Sequence, residues 1–569
     1  MSTSMSHAQN QLASTFAESH GRSAETAIAD EEDILVMESD DVANHGNGGI
    51  NGLELDTVSY TNENSDVDVH VGADASHTHD DGMMAAVSQY GKLGVAPFAV
   101  IIFYNVSGGP FGIESSVRAG GFLPSILGFA ILPFFWSIQE ALMTAELGTA
   151  IPEASGGVAW VEEAFGDKVA FLSGYLGWMS GATDNAIYPV LFMEYLLQAF
   201  FASSLDDGDG SGGDEMDLIN PWLRFGLIAA ISLILGYINW LGLPIVGNMS
   251  MVICFIGMSP FIILTLVGTF KVDPHRWTEM PDMGAVLNMT ASDDDAFDIA
   301  GGLLSGAMWG GIMWRPFLNN LFWNLNSFDA AGSFVEDIHD PSRVLPRAML
   351  WGVFMVASCY LIPLMVAIGA SDGTSMDWVD GYLARLASDV VGPWLGVWTV
   401  AAAAISNIAL FQAELSADAL QLKGMADRGY VPKLFAHRSK HGTPTYSIAL
   451  GVFIIVVLGV SKLDRLIEML NFNYSISLLM EYAAFLKLRV SRPDLERPYR
   501  IPLNTVGCFV FMMPAILLTV FLMTLATYTT LAFALGVNII GVALYHSKNC
   551  RTATAVPHDR VSFTPSLVT

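Results

Sequence analysis

The chain has 569 residues, of which 52% are hydrophobic and only 14% charged, and its formal net charge is −30. A soluble domain carries about 25% charged residues, so this chain lacks the groups needed to wet a globular surface of its size. The acidic balance also disfavours nucleic acid as a partner.

The charge is unevenly spread. Residues 1–90 hold seventeen Asp and Glu against one basic residue, Arg22. With few aromatics and much Ser, Asn and Gly, that stretch is expected to be a disordered cytoplasmic segment. It has no basic region followed by an apolar one, so no cleavable signal peptide is expected. The run His77-Thr78-His79-Asp80-Asp81 reads as a chance grouping in an acidic head, with no metal site called for. Ile34-Leu35 after Asp30–Asp33 loosely matches an acidic dileucine sorting signal. The plasma membrane is the expected location, with endomembranes left open.

A helix crossing about 30 Å of hydrocarbon needs roughly twenty apolar residues, and lipid offers its backbone no partners. Such runs occur at 93–117, 122–148, 169–201, 222–243, 245–270, 316–337, 346–370, 392–418, 444–461, 465–487, 505–526 and 528–547, predicting an all-α polytopic membrane protein with twelve transmembrane helices. The transport domain is then 91–547, followed by a cytoplasmic tail at 548–569. The run 299–314 is apolar but short and glycine-rich, and is expected to be a re-entrant or external surface helix. Charge supports twelve: with both termini cytoplasmic, eighteen Lys and Arg fall inside and eight outside, as the positive-inside rule requires. A thirteenth span would invert the basic loops at 419–443 and 487–502. The sequon Asn288-Met289-Thr290 falls in an expected external loop.

Two spans carry interruptions. The first contains Ser107-Gly108-Gly109-Pro110-Phe111-Gly112 near its middle, and the sixth contains Trp323-Asn324-Leu325-Asn326-Ser327-Phe328-Asp329. Glycine removes the Cβ restriction and proline a donor, so either helix unwinds or, at the least, kinks. Broken helices in matching halves mark the substrate site of inverted-repeat transporters. Spans one and six are the partners of a five-plus-five repeat.

Acids lie inside the spans, where a charge costs about 2.5–3.5 kcal/mol on insertion scales. They are Glu114, Glu140, Glu146, Asp184, Glu194, Asp329, Glu414, Asp418 and Glu481. Lys and Arg are nearly absent there. Such a cavity suits a cationic substrate, a proton or both. Asp329 is the first choice for an ammonium partner, with a structural cap as its alternative, and Glu114 the second. Asp184 either lines the cavity or bonds broken backbone. Glu140 is the best proton site of three acids that otherwise face solvent near the membrane surfaces, the others being Glu146 and Glu194. Tyr188, Trp323, Phe328 and Tyr474 can offer ring faces to an ammonium, or simply pack.

From about 92 to 510 the chain resembles the amino acid–polyamine–organocation superfamily. The resemblance rests on FYNVSGGPFGIESSV (103–117), IQEALMTAELGTAIPEASGG (138–157), WMSGATDNAIYPVLFMEYL (178–196), NLFWNLNSFDAAG (320–332), ELSADALQLKGMADRGYVP (414–432) and RPYRIPLNTVG (497–507). Within it the chain looks like the plant and protozoan polyamine uptake transporters, relatives of the L-type amino acid transporters. The resemblance implies a LeuT-like fold, proton-coupled uptake, and substrates such as putrescine and spermidine. It maps the first-break backbone to Ser107, Gly108 and Gly109, and the sixth-span acid to Asp329. Substrate contacts are thus expected from Ser107, Gly108, Gly109, Glu114, Asp184, Tyr188, Trp323, Asn324, Asn326, Phe328, Asp329 and Tyr474, and proton coupling from Glu140 or Asp329. Some proton-coupled relatives place a Lys in the fifth span; this chain has none there, which leaves a carboxylate as carrier. Heavy-chain-linked relatives need a Cys after span three; 202–221 has none, so no disulfide-linked partner is expected. The acidic head and the 299–314 insert depart from the pattern.

The leading expectation is a proton-coupled polyamine transporter with no cofactor, and the rival an amino acid permease on the same scaffold. An enzyme is disfavoured, because eleven of the twelve His lie in tails or loops, the twelfth, His546, stands at the very end of the last span, and no nucleophile elbow occurs.

Overall fold

A computed structural model describes residues 93–193, 221–280, 308–309, 311–379, 381–459 and 463–552. The acidic head, Glu194, residues 202–220 of the loop after the third span, the sequon at Asn288 and the tail beyond 552 lie outside these residues.

The described residues are mostly helical. In chain order the α-helices are α1 (Val95–Val106), α2 (Glu114–Gly120), α3 (Phe122–Phe135), α4 (Ser137–Ala150), α5 (Gly157–Phe165) and α6 (Asp167–Asn185). Helix resumes over 187–193. Then come α7 (Pro221–Trp240), α8 (Leu243–Gly268), α9 (Trp314–Leu325), α10 (Pro341–Ala370), α11 (Tyr382–Val390), α12 (Pro393–Asp427), α13 (Thr445–Leu458), α14 (Leu463–Ser491), α15 (Thr505–Thr524) and α16 (Tyr528–Thr552). Several begin where a residue outside helical space meets proline, as at Gly392-Pro393 and Asp340-Pro341. Proline at the first helical position forfeits only an N–H that has no helical partner.

Among the described residues, seven stretches are long and apolar enough to cross a membrane: Phe122–Ala150, Trp222–Trp240, Leu243–Lys271, Pro341–Ala370, Pro393–Asp427, Thr505–Thr524 and Tyr528–His546. Val95–Val106 and Thr445–Leu458 are shorter apolar helices. Helix occupies part of each of the twelve stretches expected from sequence. Large apolar side chains point outward along these helices, among them Phe255, Phe453, Leu517, Leu535 and Ile539, each more than half exposed. Water-facing surfaces rarely carry so many, whereas lipid accepts them.

The insert at 299–314 is corrected in its described part. Met308–Trp309 and Ile312–Met313 form a two-stranded antiparallel hairpin, β1 and β2, with Met308 opposite Met313 and Trp309 opposite Ile312. A Gly-Gly connection is a favoured hairpin turn, and Gly311 takes φ +78°. These residues are therefore not helical.

Both expected interruptions are present. Residues 107–113, between α1 and α2, are non-helical, with Gly109 at φ +103°, a region that favours glycine. After α9, Asn326 is extended and Ser327 left-handed at φ +76°. The chain then continues as a 3₁₀ helix, Phe328–Asp337, rather than an α-helix. That segment packs on α1, α4 and α12, while α2 packs on α9. Leu93 N–H donates to the Asp337 carbonyl and His339 N–H to the Leu93 carbonyl, both at 3.0 Å.

Polar side chains stitch the bundle where lipid offers nothing. Asn239 of α7 donates to the Gln412 carbonyl at 2.9 Å and to Ser416 Oγ at 2.9 Å on α12. Glu146 of α4 is fully buried, not solvated at a membrane surface. It pairs with Arg489, stands 3.1 Å from Arg497 Nε, and accepts the Ile501 N–H at 2.9 Å. The 492–504 loop is thereby pinned to the bundle. Replacing Glu146 with Ala strands two guanidinium groups, and a loss of about 3–5 kcal/mol is expected. It should be read as a lowered melting temperature of the detergent-solubilised protein, and an unaltered one would show the pairing to be dispensable.

Candidate functional site

The unwound backbone at the breaks needs partners from inside the bundle, and neighbouring helices supply them. Ser107 Oγ accepts the Gly109 N–H at 3.2 Å, and Asn320 Nδ2 donates to the Gly112 carbonyl at 2.8 Å. At the second break, Ser137 Oγ donates to the Leu325 carbonyl at 2.6 Å, Asn326 Oδ1 accepts the Ser327 N–H at 3.1 Å, and Glu140 Oε1 accepts the Asp329 N–H at 3.0 Å. Ser116 of α2 bonds Asn320 of α9, which joins the two half-helices beyond the breaks.

Two cavities open at these breaks, with about 770 and 800 Å³ of atom-free space, part of it continuous with solvent. One lies on the α2 and α9 side, lined by Ser107, Gly108, Tyr188 and Asn324 among others. The other runs along α6, α12 and α14 beside the 3₁₀ segment, lined by Asn326, Asp329, Asp418, Tyr474 and Glu481 among others. Asn105, Asp184, Trp323, Ser327 and Glu414 border both. Neither has a Lys or Arg among its described lining residues.

Neutral donors hold the acids between and below the cavities. Trp323 Nε1 donates to Asp184 Oδ1 at 3.0 Å, so the indole and the carboxylate form a partition across the sixth-span break. The Tyr188 hydroxyl bonds Glu414, and Asn185 Nδ2 donates to Asp418 Oδ2 at 3.0 Å. The Tyr474 hydroxyl bonds Asp329 and lies 3.1 Å from Glu140 Oε1. Tyr360 of α10 donates to Asn324 Oδ1 at 2.6 Å.

The sequence candidates separate into groups. Ser107, Gly108, Asp184, Tyr188, Trp323, Asn324, Asn326, Asp329 and Tyr474 line a cavity. Glu140 is buried behind the wall and reaches the site through Asp329 and Tyr474; the alternative that it is solvated near a membrane surface is excluded by its full burial. Gly109, Glu114 and Phe328 line neither cavity: Glu114 is buried at the start of α2, and Phe328 packs beneath Gly352. The structure adds Glu414, Asp418 and Glu481, present in sequence as span acids yet not placed in the site. Their spacing held a signal, because Glu414, Asp418 and Gln421 follow at four and three residues, one helical face.

The amino acid permease family model matches residues 97–545. A probable polyamine transporter of Arabidopsis thaliana is 40% identical over 456 residues, 80% of this chain and 86% of the relative. Polyamine transporter PUT1 of Oryza sativa subsp. japonica is 37% identical over 448 residues, 79% and 76% of the two chains. Solute carrier family 7 member 13 of Mus musculus is more distant, at 23% over 379 residues, covering 64% and 70%.

A methyl group on Gly181 would come within 2.2 Å of Asp418 Oδ1 and 2.8 Å of its Cγ. Gly181→Ala is therefore expected to push Asp418 off Asn185 and to cost about 1–3 kcal/mol, as overpacking does. Thermal unfolding measures this. The double variant with Asp418→Ala should recover part of the loss, a non-additivity expected only of groups in contact.

Proposed function

We propose, because this chain belongs to the amino acid permease family, that it carries organic cations of the polyamine class across a membrane by alternating access, coupled to protons. A membrane transporter follows from the family and the apolar helices. The substrate class and the coupling are the proposal. The observation that carries it is the pair of acid-lined cavities meeting at both helix breaks, with no Lys or Arg among their described lining residues. The names of the Arabidopsis and rice relatives point the same way. On this reading all twelve helical stretches cross the bilayer as a five-plus-five inverted repeat, with both termini cytoplasmic and the plasma membrane as the site of action.

An ammonium arriving at the partition finds Asp184 and Glu414 side by side, with Trp323 and Tyr188 as their neutral donors. An ammonium brings a full charge to the carboxylate where the indole N–H brings only a dipole, so on this reading the substrate displaces the Trp323 indole from Asp184. The cavity on the far side of Trp323 then becomes reachable. An amino acid would bring its α-carboxylate against the same acids, which disfavours the permease alternative.

Proton coupling rests on hydrogen counting. The Tyr474 hydroxyl has one hydrogen and contacts oxygens of two carboxyl groups, those of Asp329 and Glu140. The second contact is a hydrogen bond only if one carboxyl holds a proton. The proton shared there and a substrate ammonium held at Asp184 and Glu414 occupy distinct acids, so both can be bound at once, carried inward together as the hinge of the second break turns, and released on the far side, which gives symport.

The test is uptake of labelled putrescine and of leucine into a strain lacking its own carriers. Putrescine uptake driven by an inward proton gradient and abolished by a protonophore is expected. Asp329→Asn should reduce that accumulation by about tenfold or more, equivalent to at least about 1.4 kcal/mol. Transport of leucine alone would overturn the substrate class, and gradient-independent putrescine uptake would overturn the coupling.

A further inference from the structure

The cavity beside the 3₁₀ segment is long. It is lined on α14 from Leu470 to Glu481 and on α12 from Glu414 to Gln421. At 1.5 Å per residue these stretches span on the order of 10–16 Å. Five acids line it: Asp184, Asp329, Glu414, Asp418 and Glu481. Asp184, Asp329 and Asp418 are engaged by Trp323, Tyr474 and Asn185. Glu414 and Glu481 differ, since each keeps one buried oxygen, Oε2, with no hydrogen-bond partner among the described residues. Their residues are only 9% and 3% exposed.

The two residues lie toward opposite ends of the cavity. Helices α6 and α14 run antiparallel, with Ser180 bonding the Leu470 carbonyl at 2.9 Å and Ser477 bonding the Ser173 carbonyl at 2.9 Å. Glu414 belongs to the level of Asp184 and Tyr188. Glu481 lies one turn beyond Ser477, whose hydroxyl is near Gly177 together with Gln421. Glu414 and Glu481 are thus separated by at least two helical turns, roughly 10 Å or more along the helix axes. A buried carboxylate oxygen left without a partner is costly, and one small ammonium cannot relieve both.

The chain also keeps space for the far acid. A methyl group on Gly157, the first residue of α5, would come within 1.9 Å of Glu481 Oε1 and 2.4 Å of its Cδ. Only a residue without a side chain lets the carboxylate sit against that helix start.

We infer that Glu481 is a second ammonium subsite that reads substrate length. A long polyamine places one terminal ammonium at Asp184 and Glu414 and its distal ammonium on Glu481, while its methylene chain follows the α12 and α14 faces. A short diamine engages the first end alone. The inference rests on the polyamine reading above and supplies its selectivity.

Uptake of spermidine, spermine and putrescine by wild type and Glu481→Gln tests it, with membrane abundance measured for each. The quantity read is the KM of the longer amine divided by that of putrescine. Glu481→Gln should raise the ratio by about tenfold, as loss of a charge-assisted contact does. Gly157→Ala, which displaces the same carboxylate, should move the ratio in the same direction. Should Glu481→Gln fail to reach the membrane, Glu481→Asp, with a shorter reach, is expected to give an intermediate ratio. A ratio within twofold of wild type in the variants that fold overturns the inference. So does a variant that alters proton-gradient dependence equally for every amine, which would make Glu481 a proton carrier. A wild-type protein that moves none of the amines would instead overturn the polyamine reading itself.

Discussion

Unwound backbone inside an apolar bundle must find its hydrogen bonds within the protein, and much of the polar chemistry of this chain answers to that demand. Seven residues between α1 and α2, and the turn at Asn326 and Ser327, expose N–H and C=O groups that lipid cannot satisfy. Ser107, Ser137, Asn320, Asn326 and Glu140 meet them. Once those polar groups are gathered, the same region can hold a hydrated or charged guest. Glu140 shows the double use: one oxygen caps the Asp329 N–H and also meets the Tyr474 hydroxyl.

The buried acids divide by their partners. Glu146 faces two guanidinium groups and serves as a fastener for the 492–504 loop. Asp184, Glu414, Asp418 and Asp329 take hydrogen bonds from indole, phenol and amide donors, and none of them is in an ion pair with Lys or Arg among the described residues. A fixed cation would cancel the field in the cavities, whereas neutral donors orient the carboxyl groups and leave their charge available. This contrast separates structural from ligand-directed acids more sharply than burial, since Asp184, Glu414 and Asp418 are buried as Glu146 is.

Much of the framework was legible in the chain. The Gly-Gly-Pro run at 108–110 and the polar run at 323–329 announced both breaks, because few residue types tolerate or cause such interruptions. Legibility ended where helical phase mattered. Glu114 and Phe328 are adjacent to the breaks in sequence yet point away from the cavities, while Glu414, Asp418 and Glu481 are distant in sequence and point in. A long span that is apolar nearly all round gives no rotational reference until its neighbours are known. The hairpin at 308–313 and the 3₁₀ winding after Ser327 were hidden for a related reason. Local hydrophobicity there is compatible with α-helix, and pairing and packing decide otherwise.

The Leu93 bridge to Asp337 and His339 has a mechanical corollary. Two backbone hydrogen bonds weld the entry of α1 to the exit of the 3₁₀ segment, while each piece is released from its outer half by an unwound joint. Neither end can shift alone without breaking these two bonds, so the link makes one mechanical unit of two segments that lie about 240 residues apart in the chain.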